Sequence, residues 1–134
     1  MTATELDQPF TETETQFDLD RLQGAWVTVA GRRPVQLLIA GRHFTARFLD
    51  GDLYMGTFHL FVEEEPREMV MWIDEGPEHH RGRIAHCIYF FENEALRWCP
   101  TDPGSNERLT EFPPATDAHH LCLVLQRERP LPHK

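Results

Sequence analysis

Short hydrophobic runs alternate with turn-forming breaks along most of this chain. The runs are rich in β-branched and aromatic residues, and the breaks contain Gly, Pro, Asn or Asp, which is typical of short strands joined by tight turns. Nine runs are expected to form strands: 25–30, 35–40, 42–49, 53–61, 68–74, 83–91, 95–99, 107–112 and 121–127. Because short links favour antiparallel neighbours over parallel crossovers, we expect an all-β fold, a single antiparallel up-and-down barrel of about eight or nine strands.

Alternation along the runs assigns side chains to an inner and an outer face of the barrel. A two-residue turn at 93–94 would pair Tyr89 with Trp98 and so group the large apolar residues on one face. The same register places Cys87 and Cys99 on opposite faces, where they cannot form a disulfide. The inner face is then expected to carry an aromatic-rich set: Phe44, Phe58, Met71, Tyr89, Phe91 and Trp98. Such a set either fills a small barrel or lines an apolar cavity, and the pattern leaves both open.

Acidic residues are concentrated at the start of the chain. Residues 1–20 contain six Asp or Glu and no Lys or Arg, whereas the whole chain has a net charge of −9. The remainder is nearly balanced, which gives no electrostatic reason to expect binding to nucleic acid or to an anionic membrane. We expect 1–17 to form a flexible acidic arm that could dock onto a protein partner. Residues 18–128 would form the barrel after a short helical turn capped by Asp18, and 129–134 a C-terminal tail.

The N-terminal residues lack the basic segment and the apolar core of a secretory signal peptide, so a cytoplasmic location is expected. The three cysteines, Cys87, Cys99 and Cys122, are widely spaced and form no C-x-x-C pair. In a reducing compartment we expect them to be free, partly buried thiols. A Cys/His metal site and a nucleophilic cysteine are the alternatives.

Histidine is abundant, with eight residues in the chain. Five of them are weak candidates for a zinc, iron or haem-iron site at one rim of the barrel: His79, His80, His86, His119 and His120. Adjacent histidines on a strand point to opposite faces, however, and no H-x-H, H-E-x-x-H or Cys/His metal spacing occurs. The preferred interpretation is therefore histidines exposed in loops, with no metal and no cofactor.

Candidate catalytic groups are few. Cys87, Tyr89 and Glu111 could meet inside the barrel, where burial would shift their pKa values toward proton transfer. No G-x-S-x-G, P-loop or G-x-G-x-x-G motif occurs, which disfavours hydrolase, nucleotide-binding and dinucleotide-binding functions. Whether the protein is an enzyme stays open, with a binding function favoured.

Several segments resemble a known family of barrels. The LQGAW segment at 22–26 resembles the G-x-W opening of lipocalin-like barrels. The pattern is nearest to a largely uncharacterised lipocalin-like domain family abundant in planctomycete bacteria. The matching pieces are D-x-x-x-L-Q-G-x-W at 18–26, G-x-x-F-T at 41–45, G-T-F at 56–58, E-G-P at 75–77, I-Y at 88–89, L-R-x-C at 96–99, T-E-F at 110–112 and L-V-L at 123–125. The resemblance covers 18–128, and the histidine pairs and the acidic arm depart from the family's pattern.

This resemblance implies a calycin-type, lipocalin-like barrel with a plugged closed end. Trp26 would form the floor, and an Arg from the last strand would stack across its indole ring. Arg127 is the matching position, with Arg129 as the second choice. These residues would be structural, and the family implies a fold more firmly than a function.

The inner aromatic set favours a small-molecule binding module of lipocalin type, with an apolar or aromatic ligand. The residues expected to line the ligand site are Phe44, Phe58, Met71, Cys87, Tyr89, Phe91, Trp98 and Glu111. One alternative is a pocket enzyme that catalyses proton transfer, as an isomerase or cyclase, and another is a His-based metal- or haem-binding protein. A third is a protein-interaction module with a filled barrel.

Overall fold

A computed structural model describes the backbone of residues 3–114, 117 and 119–128, and the side chains among them from residue 12 onward. In this part of the chain, one helix precedes eight strands: α1 (Ala3–Leu22), β1 (Gly24–Ala30), β2 (Val35–Ala40), β3 (His43–Phe48), β4 (Leu53–Phe61), β5 (Glu68–Glu75), β6 (Ile84–Glu92), β7 (Ala95–Pro100) and β8 (Leu123–Arg127). Each strand pairs antiparallel with the next along the chain, and β8 pairs with β1 to close the barrel. The predicted all-β, antiparallel up-and-down barrel is confirmed.

The alternation of inner and outer side chains is confirmed where the strands form. On β3, Phe44, Ala46 and Phe48 are buried, whereas Arg47 between them is exposed. The hairpin between β6 and β7 has the predicted two-residue turn, with Tyr89 opposite Trp98. The inward side chains of the eight strands form one continuous hydrophobic core. The pairing register of the strands therefore follows from the alternation of side chains between the two faces, because a slip of one residue would expose all of the inward side chains.

The predicted strand at 107–112 is wrong. These residues lie in the irregular connection between β7 and β8, which spans 101–122. The physical reason is closure: β7 pairs with β6 on one side and with β8 on the other. A ninth strand would have no free edge to pair with, so local alternation at 107–112 does not produce one.

The N-terminal helix is longer than the predicted turn, since α1 begins at Ala3 rather than at Asp18. The helix thus runs through the segment predicted to be a flexible arm. Among the described side chains of α1, those of Leu19 and Leu22 are buried in the core. The sequence of α1 has no apolar stripe, so the pattern gave no helical signal. The expected tail at 129–134 lies outside the described residues, and no helix in the described part is long and apolar enough to cross a bilayer.

The prediction of three free thiols is also wrong. Cys99 and Cys122 form a disulfide, and Cys87 is the one free, buried cysteine within the described residues. Trp98 pairs with Leu123 across β7 and β8, so the next residues along these strands, Cys99 and Cys122, face each other. The disulfide ties both ends of the 101–122 connection together.

The two ends of the barrel differ. One end, the mouth, is surrounded by the connections at 31–34, 49–52, 76–83 and 101–122. The other end, the floor, is covered by the C-terminal half of α1. At the floor Trp26 donates its indole N–H to the Leu22 carbonyl oxygen at 2.8 Å. The guanidinium carbon of Arg127 lies 4.5 Å from the centre of the Trp26 rings, which is the arrangement that the resemblance implies.

Candidate ligand cavity at the mouth

A cavity of about 200 Å³ opens at the mouth and reaches the hydrophobic core. Its walls are mostly apolar side chains that point inward from the strands: Phe44, Ala46, Phe48, Met71, Ile73, Ala85 and Trp98. Its rim is polar and comes from the mouth connections: Arg32, Arg33, Asp102, Glu107, His119 and His120. An apolar cavity of ~150 Å³ is large enough for a benzene ring. The space therefore matches one small ring rather than a long lipid.

Tyr54 and His80 form a hydrogen-bonded pair in the cavity wall. The Tyr54 hydroxyl lies 2.8 Å from His80 Nδ1, and the two rings are stacked with centroids 5.8 Å apart. Tyr54 lies on β4 at an inward position and is buried, whereas His80 comes from the β5–β6 connection. Burial raises the pKa of Tyr54 and lowers that of His80, and the neighbouring His79 lowers the latter further. Both side chains are therefore neutral near pH 7.

Arg33 forms a charged corner beside this pair. Its Nε donates to Asp50 at 2.7 Å and its Nη2 donates to Asp52 at 2.6 Å. The guanidinium carbon also lies 3.9 Å from the centroid of the Phe48 ring, which forms part of the wall. Because two carboxylates surround one guanidinium, this corner does not offer an uncompensated positive charge.

The 101–122 connection forms one side of the mouth and is held by His120. The two ring nitrogens of His120 lie 2.7 Å from a Glu107 carboxylate oxygen and 3.0 Å from an Asp117 carboxylate oxygen. The hydrogen bonds to these two carboxylates raise the pKa of His120, and the bond to Asp117 has the larger effect. Arg32 donates to the His120 carbonyl oxygen at 3.0 Å, which links this connection to the one at 31–34.

Trp98 lines the cavity, and its indole nitrogen is enclosed in the protein. It is buried, and its indole Nε1 has no hydrogen-bond partner among the described residues. The indole N–H lies near enough to Cys87 to lower the pKa of that thiol, although burial has the larger effect and raises it to about 12. This contact does not meet hydrogen-bond geometry, so we treat the indole as an unsatisfied donor.

The residues predicted to line a ligand site lie in different parts of the structure. Phe44, Met71 and Trp98 line the cavity at the mouth. Phe58 and Cys87 are packed in the core and do not line it. Cys87 is fully enclosed, and its raised pKa keeps it a thiol rather than a nucleophilic thiolate.

Tyr89 and Phe91 belong to the floor and not to the cavity. The Tyr89 hydroxyl donates to Asp18 of α1 at 2.7 Å, and burial followed by this hydrogen bond raises its pKa. Both residues line a groove of about 610 Å³ between α1 and the barrel. Two other walls of this groove, Phe17 and Phe90, are exposed side chains, so the groove lies outside the barrel.

Glu111, also expected at the ligand site, does not line the cavity. It is exposed in the 101–122 connection, because the strand that would have turned it inward does not form. The grouping of Cys87, Tyr89 and Glu111 for proton transfer is consequently not assembled. The Tyr89 hydroxyl donates its hydrogen bond to Asp18, and Cys87 is enclosed in the core.

The histidines are divided between several places. His79 and His80 lie in the β5–β6 connection with ring centroids 4.0 Å apart, and His119 and His120 lie at the same end of the barrel. His86 lies on β6, where its Nδ1 is buried without a partner. Over the described residues, no group of three or more His, Cys, Asp or Glu side chains could hold a metal ion.

The sequence analysis did not assign Arg33, Tyr54 or His80 to a ligand cavity, although it named His80 as a candidate metal ligand at the rim. Tyr54 could have been found, because it shares the inward face of β4 with Phe58 and Leu60. His80 and Arg33 lie in connections, and no local pattern predicts that their side chains turn over the mouth.

Comparisons with known proteins add no family. No family model matches the chain, and no curated protein or solved structure matches it either. The strand pairing alone therefore establishes the barrel, and membership of the planctomycete family stays a prediction.

Proposed function

We propose that the protein binds one small, largely apolar ligand in the cavity at its mouth. The observation that carries this proposal is the cavity of about 200 Å³, which enters the barrel between aromatic and thioether side chains. Protein interiors are normally packed without voids of this size, so an open apolar space needs an explanation. A ligand that fills it would remove apolar surface from water at ~25 cal/mol per Å².

The polar groups around the cavity support binding rather than catalysis. The rim charges are largely paired with each other, as Arg33 is with Asp50 and Glu107 is with His120. Paired charges fix the shape of an entrance and do not provide a reactive base or nucleophile.

Cavity-filling substitutions test the proposal. Ala85 lines the cavity, and Ala85→Leu would occupy part of its volume. Ala40→Leu is the matched control, because Ala40 is exposed on β2 outside the cavity. Native mass spectrometry of protein purified from its own host should show a small bound molecule in wild type and in Ala40→Leu, and less of it in Ala85→Leu. Equal ligand content in all three proteins, or none in wild type, would contradict the proposal.

A further inference from the structure

The hydrogen-bonding capacity of the cavity restricts the chemistry of its ligand. Several charged groups at the rim bond to one another: Arg33 to Asp50 and Asp52, and Glu107 to His120. In the Tyr54–His80 pair, each member uses one site in their mutual bond, His80 keeps its second ring nitrogen, and the remaining site of Tyr54 also faces the Arg33 guanidinium. This pair is therefore a neutral polar contact for a ligand that enters between the apolar walls.

The number of protons on Tyr54 and His80 determines which hydrogen-bonding sites the pair leaves for a ligand. With both side chains neutral, one proton lies between the Tyr54 oxygen and His80 Nδ1, and one proton remains. If the phenol donates, the free donor is His80 Nε2–H and the free acceptor is the Tyr54 oxygen. If the imidazole donates, the free donor is the Tyr54 O–H and the free acceptor is His80 Nε2. In either tautomer the pair offers one donor and one acceptor.

The charge beside Tyr54 and the volume of the cavity restrict the class of ligand further. The corner next to Tyr54 contains one guanidinium and two carboxylates, so it repels an anionic ligand more than it attracts one. The volume of about 200 Å³ admits a single ring with a small substituent. Each free site is a donor in one tautomer and an acceptor in the other. A hydroxyl group can donate or accept and therefore matches one such site in either tautomer, whereas a carboxylate only accepts.

We propose that the ligand is a neutral single-ring hydroxy compound of the phenol class, whose hydroxyl bonds one member of the Tyr54–His80 pair while its ring packs between Phe44, Met71 and Trp98. This inference rests on the proposed function, because it assigns the chemistry of the same cavity. Tyr54 and His80 act here as specificity-determining residues. The apolar walls supply most of the affinity, and the pair discriminates among rings of similar size.

An NMR titration with three probes tests the inference on the full chain. Phenol, toluene and benzoate are similar in size, and they differ in the group that would face Tyr54 and His80. We expect phenol to bind ~5-fold more tightly than toluene, in line with one net hydrogen bond, and benzoate to bind more weakly than both. Tyr54→Phe and His80→Gln should each reduce the preference for phenol, while affinity for toluene stays within 2-fold. His79→Gln is the control, because His79 is exposed beside His80 and does not line the cavity.

The outcomes separate this inference from the function on which it rests. If toluene or benzoate binds as tightly as phenol, or if Tyr54→Phe and His80→Gln both leave the preference for phenol unchanged, the assigned ligand class is wrong and cavity binding stands. If no probe shifts the Trp98 indole signal and Ala85→Leu changes nothing, cavity binding itself is wrong.

Discussion

Asp18 is the position where a single substitution should cost the most stability at the floor. Its carboxylate is buried on α1 and accepts two hydrogen bonds on the same oxygen. Arg67 Nη1 donates at 2.6 Å and the Tyr89 hydroxyl donates at 2.7 Å. Asp18→Ala removes both bonds without adding volume, and it leaves the two donors where they are.

The magnitude follows from the burial of each donor. The Tyr89 hydroxyl is enclosed, and leaving such a donor without an acceptor costs ~1–3 kcal/mol. The Arg67 side chain is 37% exposed, so water replaces most of what it loses and its share is at most ~1 kcal/mol. The expected loss is about 1–4 kcal/mol of the free energy of unfolding. For a chain of 134 residues this corresponds to a fall in Tm of roughly 4–14 °C.

Thermal unfolding followed by circular dichroism measures this loss, with urea titration as a second determination. Asp20→Ala is the matched control, because Asp20 lies on the same helix, is exposed, and bonds only the Gln16 side chain in the described structure. The double variant Asp18→Ala/Tyr89→Phe should lose less than the sum of its single variants by ~1 kcal/mol or more. The reasoning is refuted if Asp18→Ala is no more harmful than Asp20→Ala, or if the two changes are additive.

Two further predictions concern β4 and the mouth. A Cβ at Gly56 would lie 1.8 Å from the Trp72 carbonyl oxygen, so Gly56→Ala should separate β4 from β5 and lower stability by ~3 kcal/mol. Gly41→Ala is the control: its Cβ would meet no atom, so it should cost only ~1–2 kcal/mol for the positive φ of Gly41. Similar losses for the two variants in urea titration would contradict this prediction. The raised pKa of His120 means that its stabilising effect is full below about pH 6.5 and is lost as the pH rises through the higher pKa of the folded state. The hydrogen bond from His120 lowers the pKa of Asp117 to about 2, so the effect of Asp117 is present above pH 3.8 and is lost as the pH falls through about 2. The Tm difference between wild type and His120→Gln should thus be largest between about pH 4 and 6.5 and should shrink toward pH 9, and a difference that does not vary with pH would disprove the link.

Local patterns were sufficient to predict most of the barrel, because strand faces and tight turns depend on neighbouring residues. The burial of Met69, Met71 and Ile73 on β5 follows from alternation alone. The turn at Asn93 follows from comparing two registers, and Asn93 has the positive φ of 57° that such a turn requires.

The errors arise where distant parts of the chain meet. The Cys99–Cys122 disulfide and the irregular run at 107–112 both depend on β7 pairing with β8 across a long connection. The cavity depends on how the inward side chains of different strands are distributed between the mouth and the floor. For that reason Trp98 could be assigned to the inner face, but its separation from the floor residue Tyr89 could not.

The end of α1 has a consequence for how the barrel opens. Its last residues and the adjoining Gln23 contact each of the three turns at the floor: Asp18 bonds Arg67, Arg21 bonds Asn93, and Gln23 bonds Gly41. Arg127 of β8 in turn bonds the carbonyl oxygens of Arg21 and Gln23. A helix joined to every turn and to the closing strand detaches as a cooperative unit, so amide hydrogen exchange in α1, β1 and β8 should share one opening free energy. The β1–β8 seam, which joins the most distant strands in the chain, is then protected by the helix as well as by its own ladder of hydrogen bonds.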